Sequence, residues 1–85
     1  MRTRFIINPI SGTGKQKCIE DYIRRHLNNF DIVYTEKSGD ATVLSIKSVE
    51  EGFDSVVAVG GDGTVNECVL GLVNTQTSLG VIPCG

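Results

Sequence analysis

Apolar and polar positions along this 85-residue chain repeat with two different periods, short β-rich runs giving way to longer helical stripes. Phe5-Ile6-Ile7 is a short apolar run stopped by Asn8-Pro9 and reads as a strand. Ser11-Gly12-Thr13-Gly14 reads as a loop. The spacing then predicts a helix from about Gly14 to Asn28, because Ile19, Tyr22, Ile23 and Leu27 share one stripe. Thr13 with Gln16 fits a capping box at its start. Asp31 to Thr35 is predicted as a second strand. Asp40 to Glu51 carries Thr42, Val43, Ile46 and Val49, whose β-branching lowers helix propensity. The segment is long for a strand, however, and Gly52 stands where a helix-ending glycine belongs, so a helix is predicted. Ser55 to Val59 is apolar on both faces, as a central parallel strand covered on each side would be. Gly60-Gly61-Asp62-Gly63 is a tight turn. Val65, Cys68, Val69, Leu72 and Val73 form the next helical stripe, with Thr64 and Glu67 as a second capping pair. Leu79 to Ile82 is a last strand before Pro83-Cys84-Gly85.

The predicted order is β-α-β-α-β-α-β. Such alternation implies an α/β fold, a parallel sheet with helices packed on it and right-handed crossovers. Ligands in open sheets of this kind bind outside the carboxyl ends of the strands. The Asn8–Gly12 and Gly60–Thr64 segments both lie there, and Thr35 ends a strand as well.

Composition narrows the function classes. A mass of 9.1 kDa allows one domain. Apolar residues at 40% and charged residues at 21% are ordinary for a soluble globular chain. A net charge of −2 supplies no basic footprint for nucleic acid. The longest apolar run, Val56 to Val59, falls far short of the roughly 20 residues of a membrane-spanning helix. The start, Met1 to Phe5, lacks a secretory signal's apolar stretch, so a cytoplasmic chain is expected. Cys18, Cys68 and Cys84 are odd in number and widely spaced, and His26 is the only histidine. That pattern argues against a zinc site and a disulfide scaffold, and no protein-held metal cluster is expected. The three thiols are expected to act as small buried or half-buried apolar groups.

The turn Gly60-Gly61-Asp62-Gly63-Thr64 is the most informative segment. Glycine permits positive φ and close approach of a ligand to the backbone. A helix starting there offers free N–H groups and a positive dipole end to an anion. Asp62 would repel a bare phosphate, but it makes sense beside a magnesium ion or a hydroxyl proton. The plain alternative is a tight strand-to-helix turn with Asp62 accepting local hydrogen bonds. Neither common phosphate motif applies. A Walker A loop fails because Gln16 follows Gly14-Lys15 and Pro9 stands at the earlier glycine position. A dinucleotide fingerprint fails at Asn66 or Lys17, where its third glycine belongs. Asn8 and Ser11 offer hydrogen-bonding groups suited to adenine or ribose, against a plain βα turn as the alternative. Lys15, Arg24 and Arg25 read as solvated helix residues, and His26 as a residue beside the apolar stripe.

Together these segments resemble the diacylglycerol kinase catalytic-domain family, which includes bacterial lipid kinases and sphingosine kinases. The residues that carry the resemblance are Asn8-Pro9-Ile10-Ser11-Gly12, Thr35 to Ala41, Gly60-Gly61-Asp62-Gly63-Thr64-Val65-Asn66-Glu67 and Leu79 to Gly85. They run in the family's order across essentially the whole chain. The resemblance implies an N-terminal α/β domain similar in fold to NAD kinase and phosphofructokinase, taking ATP with Mg2+. It implies a nucleotide site of Asn8, Pro9, Ile10, Ser11, Gly12, Thr35, Gly60, Gly61, Asp62, Gly63, Thr64, Val65 and Asn66. Asp62 is the expected catalytic residue, orienting magnesium, ATP or the acceptor hydroxyl. The implied reaction moves the ATP γ-phosphate to a lipid alcohol such as diacylglycerol, a transfer that needs mainly positioning and charge neutralisation. The family often has histidine where Asp40 stands.

The family pattern continues past Pro-x-Gly with a threonine, an Asn-Asp pair and a β-rich second domain, which by the resemblance carries the usual catalytic acidic residue and metal ligands. Residues 1–85 are therefore expected to be an incomplete nucleotide-binding domain, with one sheet edge left open. The partners implied are a nucleotide and a lipid alcohol, with room for peripheral membrane contact and a homodimer. Two other readings compete: an NAD kinase-like enzyme, which shares the Gly-Gly-Asp-Gly-Thr turn, and a non-catalytic module that dimerises or binds a partner through the open edge.

Overall fold

A computed structural model describes residues 1–9 and 15–83, and within the second stretch the side chains from residue 17 onward. The elements are β1 (Thr3–Ile7), α1 (Lys15–His26), β2 (Phe30–Tyr34), α2 (Asp40–Glu50), β3 (Ser55–Gly60), α3 (Asp62–Leu72) and β4 (Ser78–Pro83). Type and order are as predicted, with ends displaced by up to two residues, except that α3 starts at Asp62 rather than after the predicted Thr64 cap. The Thr13–Gln16 capping pair, the predicted loop Ser11–Gly14 and Cys84 lie outside the described residues.

All four strands are parallel, in the order β2-β1-β3-β4. The register sets Ile32, Phe5, Val57 and Gly80 in one row, and Val33, Ile6, Ala58 and Val81 in the next. Successive side chains leave a strand on opposite faces, so these rows feed different cores. Ile6, Val56 and Ala58 pack with Ala41 of α2 and with Cys68 and Leu72 of α3. Phe5, Ile7 and Val59 pack on the other face with Ile23 of α1. The result is three layers. β3 supplies both cores and is interior in the sheet, which accounts for its unbroken apolar run.

α2 ends as Gly52 predicts. Gly52 takes φ of +84°, its N–H donates to Val49 O at 3.1 Å, and the Phe53 N–H donates to Ser48 O at 3.0 Å. This paired closure uses the carbonyls that a helix end leaves open, and left-handed φ favours glycine there. Phe53 then folds under the sheet's amino-terminal end, where Arg2 and Arg4 stack on its ring at 4.2 and 4.1 Å. Arg4 is buried and bridges Asp31 and Glu51, each at 2.8 Å. α2 and α3 lie close together because Gly71 has no side chain: a Cβ there would stand 2.7 Å from both Ser45 Cβ and Thr42 O.

The helical stripes are narrower than their spacing predicts. In α1 only Ile23 is fully buried, while Tyr22 and the following Leu27 are exposed. In α3, Cys68 and Leu72 face the core, but Val69 is exposed, as is Val73 just past the helix end. Cys18 is exposed, contrary to expectation, because it lies off the Ile19–Ile23 face of α1; Cys68 is buried as expected, and burial pushes its thiol pKa up. Tyr34 donates its hydroxyl to Glu20, and Arg24 pairs with Glu20 at 3.1 Å, tying α1 to β2. These contacts hold the Glu20 carboxyl below its usual range. No helix among the described residues is long and apolar enough to cross a membrane.

Candidate functional site

β1 and β3 are neighbours in the sheet, yet the chain leaves β1 for a helix on one face and β3 for a helix on the other. The crevice between their carboxyl ends is the switch point at which such sheets bind ligands. Backbone bonds carry the ladder one residue further there. Asn8 donates its N–H to Val59 O at 3.0 Å, and Thr35 donates its N–H to Ile7 O at 2.9 Å. Asn8, Thr35 and Gly60 are thereby aligned at one edge of the sheet.

The three glycines of the turn do different things. A Cβ on Gly60 would stand 2.7 Å from Thr64 Oγ1 and 3.4 Å from Asn8 Cβ. Gly60 is thus demanded by packing, and its bareness lets the Asn8 amide reach the Thr64 hydroxyl at 3.4 Å. A Cβ on Gly61 or Gly63 would meet nothing within 4 Å. Left-handed backbone, one of the expected reasons for glycine here, is not used: the positive-φ glycines among the described residues are Gly39 and Gly52. Gly61 is extended, at φ −92° and ψ −167°. Neither crowding nor conformation explains Gly61 and Gly63, which leave bare backbone facing open space.

α3 begins directly on this turn. Its first bond runs from the Val65 N–H to Gly61 O at 3.1 Å. The N–H groups of Asp62, Gly63 and Thr64 precede it, and no side chain caps the helix. The predicted Thr64–Glu67 capping box is therefore not formed. Gly61 is the N-cap, Thr64 sits inside the first turn, and Glu67 reaches away to α2. Its Oε2 accepts the Gly39 N–H at 3.1 Å and its Oε1 the Ala41 N–H at 3.3 Å. Its backbone carbonyl accepts the Thr42 hydroxyl at 2.8 Å. Asp40, where the family often has histidine, closes the loop from the other side. Its Oδ2 accepts the N–H groups of Glu36 at 2.8 Å and Lys37 at 3.0 Å, and its Oδ1 pairs with Lys37 Nζ at 3.2 Å. These donors hold the Asp40 carboxyl below the usual carboxylate range, the Glu36 N–H most of all.

Between the two walls lies a cleft of about 290 Å³ lined by Asn8, Thr35, Glu36, Lys37, Ser38, Gly63, Thr64 and Glu67. Of the predicted site residues, Asn8, Thr35, Gly63 and Thr64 line it together. Gly60 buttresses Thr64, and Gly61 and Asp62 form the turn at its rim, with Asp62 exposed. Pro9 is exposed at the end of β1, Val65 packs against the α2–α3 core, and Asn66 is exposed outside the cleft lining. Ile10, Ser11 and Gly12 lie outside the described residues. Glu36, Lys37, Ser38 and Glu67 belong to the cleft but not to the predicted set. The polar run after β2 was the available signal for the first three. Glu67 stood in the Gly60–Glu67 segment and in the predicted capping pair, but neither signal pointed to its partners Gly39 and Ala41, which lie an α-β-α unit back in the chain.

Residues 2–85 match the family model for the diacylglycerol kinase catalytic domain. A diacylglycerol kinase of Staphylococcus saprophyticus is 39% identical over 90 residues, spanning 99% of this chain and 30% of the relative. One from Staphylococcus aureus is 38% identical over 90 residues, spanning 99% and 29%. Two crystal structures from Bacillus anthracis share the fold. One superposes with a TM-score of 0.86 at 30% identity, covering 99% of this chain and 31% of that one. The other, of a diacylglycerol kinase, gives 0.77 at 28%, covering 99% and 33%. The chain thus spans about 30% of the length of the curated relatives it matches.

Proposed function

From the premise that the chain belongs to the diacylglycerol kinase catalytic domain family, we propose that residues 1–85 form the nucleotide-binding part of an ATP-dependent lipid kinase. The observation that carries this reading is the bare backbone of Gly61 and Gly63 over open space, next to three unbonded helix N–H groups and the exposed Asp62. Such a turn suits phosphates. Asn8 and Thr35, at the adjoining strand ends, offer amide and hydroxyl groups for the nucleoside. Pro9, Ile10, Ser11 and Gly12 are assigned to the nucleotide by the family resemblance alone. Val65 anchors the turn from the core side, and Asn66 stands one helical turn beyond it.

Magnesium fits the donor set in one way only. No group of three or more His, Cys, Asp or Glu among the described residues could cage an ion. Magnesium commonly takes one or two carboxylates and completes its shell with water and substrate phosphates, which a single exposed Asp62 allows. Bound so, the ion neutralises phosphate charge. Asp62 orients the ion or the acceptor hydroxyl, while the turn holds the phosphates in place. The hydroxyl oxygen bonds to the γ-phosphorus, its proton passes to the acidic residue that the family resemblance implies in the second domain, the bond to the β–γ bridging oxygen breaks, and ADP leaves. The lipid acceptor brings the protein to a membrane surface.

The test uses the full natural protein with Mg-ATP labelled in the γ-phosphate and diacylglycerol in mixed micelles. Labelled phosphatidic acid is expected, and Asp62→Asn should lower kcat by about a hundredfold or more, on the order of 3 kcal/mol. No labelled lipid from the wild type would overturn the reading. The isolated chain is expected to bind Mg-ATP weakly and to form no lipid phosphate.

A further inference from the structure

We infer that Glu67 is a positioning residue, which sets the width of the cleft by tying the loop after β2 to α3. The inference rests on the nucleotide reading of the cleft and deepens it. α2 starts on Gly39 at φ +91°, and no side chain of its own caps it. Two of its orphan N–H groups, those of Gly39 and Ala41, are instead taken by the two oxygens of Glu67 from the neighbouring helix. One carboxylate therefore spans both orphan donors, and its charge matches the positive end of α2. The Thr42 hydroxyl adds a third tie, to the Glu67 carbonyl.

The cleft's two walls meet at this point. One wall is Thr35 to Ser38, and the other is Gly63, Thr64 and Glu67. Asp40 holds Glu36 and Lys37 to the start of α2, so the loop moves with α2 as one body. Further along α3, about one turn past Glu67, Gly71 lets the helix close on Thr42 and Ser45 of α2. Glu67 is the corresponding fastening at the mouth. Without it, the start of α2 and the loop before it are held to α3 only from Thr42 onward, and the gap between Thr35 and Thr64 can widen. A site held open binds its ligand less tightly, because ordering the wall is then charged against binding.

Gln at this position keeps the side chain's size and removes its fit. A carboxylate accepts at both oxygens, whereas an amide accepts at one and turns an N–H toward the other donor. In the full natural protein, Glu67→Gln should raise the KM for Mg-ATP about tenfold, the loss of one charge-assisted hydrogen bond. The kcat should change much less. Amide exchange of Gly39 and Ala41 in the nucleotide-free protein should quicken. Thr42→Val, which removes only the third tie, should shift the same readouts in the same direction by less. An unchanged KM with unchanged exchange would overturn the inference, as would a lowered thermal midpoint with KM unchanged. Failure of the functional reading looks different. The wild type would then show no Mg-ATP saturation at all, and exchange at Gly39 and Ala41 alone would decide whether Glu67 holds the loop.

Discussion

Asp40 shows what one side chain contributes at the scale of the residue. Its carboxylate gathers two backbone N–H groups and the Lys37 ammonium, all of which favour the charged form. The folded pKa therefore lies below the unfolded one, and the contribution to stability is complete above about pH 4. It drains away as pH falls through the lowered folded value. Asp40→Asn should accordingly show a smaller loss of denaturant midpoint than wild type on acidification from about pH 6 to about pH 3. Equal losses would mean that the loop bonds do not depend on the charge. At this scale the site was partly legible from sequence. Asn8, Thr35, Gly63 and Thr64 could be read because they end strands or open a helix. Glu67 could not, because Thr64 and Glu67 three residues apart suggest a local capping pair, whereas the real partners of Glu67 are Gly39 and Ala41.

Among the elements, α2 and α3 approach each other closely, and Gly71 is the reason. A Cβ at that position would meet Ser45 Cβ and Thr42 O at 2.7 Å, too close for any rotamer to relieve. Gly71→Ala should push the helices apart and cost about 1–3 kcal/mol, a shift of several degrees in thermal midpoint. An unshifted midpoint would show that α3 can slide without loss. The kind and order of every element were readable from periodicity, since a strand alternates and a helix returns every three or four residues. Which flank of each stripe meets the core was not. Val69 and Val73 continue the α3 stripe in sequence, yet they lie beyond the edge of the surface that β3 and α2 present. Tyr22 is the same case on α1. Spacing states that residues share a face and says nothing of how wide the partner surface is.

For the whole molecule, the two sides of the sheet are covered unequally. α2 brings Ala41, Ser45 and Ser48 into the interior, and α3 brings Thr64, Cys68, Gly71 and Leu72. Among its described side chains α1 brings Ile23 alone to full burial, helped by the half-buried Ile19 and the Tyr34–Glu20–Arg24 cluster. Free energies of local opening follow the apolar contacts that must be broken, so the α1 layer should open well below the level at which the sheet does. The consequence is a built-in order of digestion. Limited trypsin treatment should cut after Arg24 or Arg25 before it cuts after Lys47, although all three side chains are exposed and helical. First cleavage at Lys47 would show the opposite ranking. With the expected ranking, the fragment that outlasts α1 keeps the Gly60–Thr64 turn and the α2–α3 pair, so the most protease-resistant part of the chain is the part that carries the wall proposed to take the phosphates.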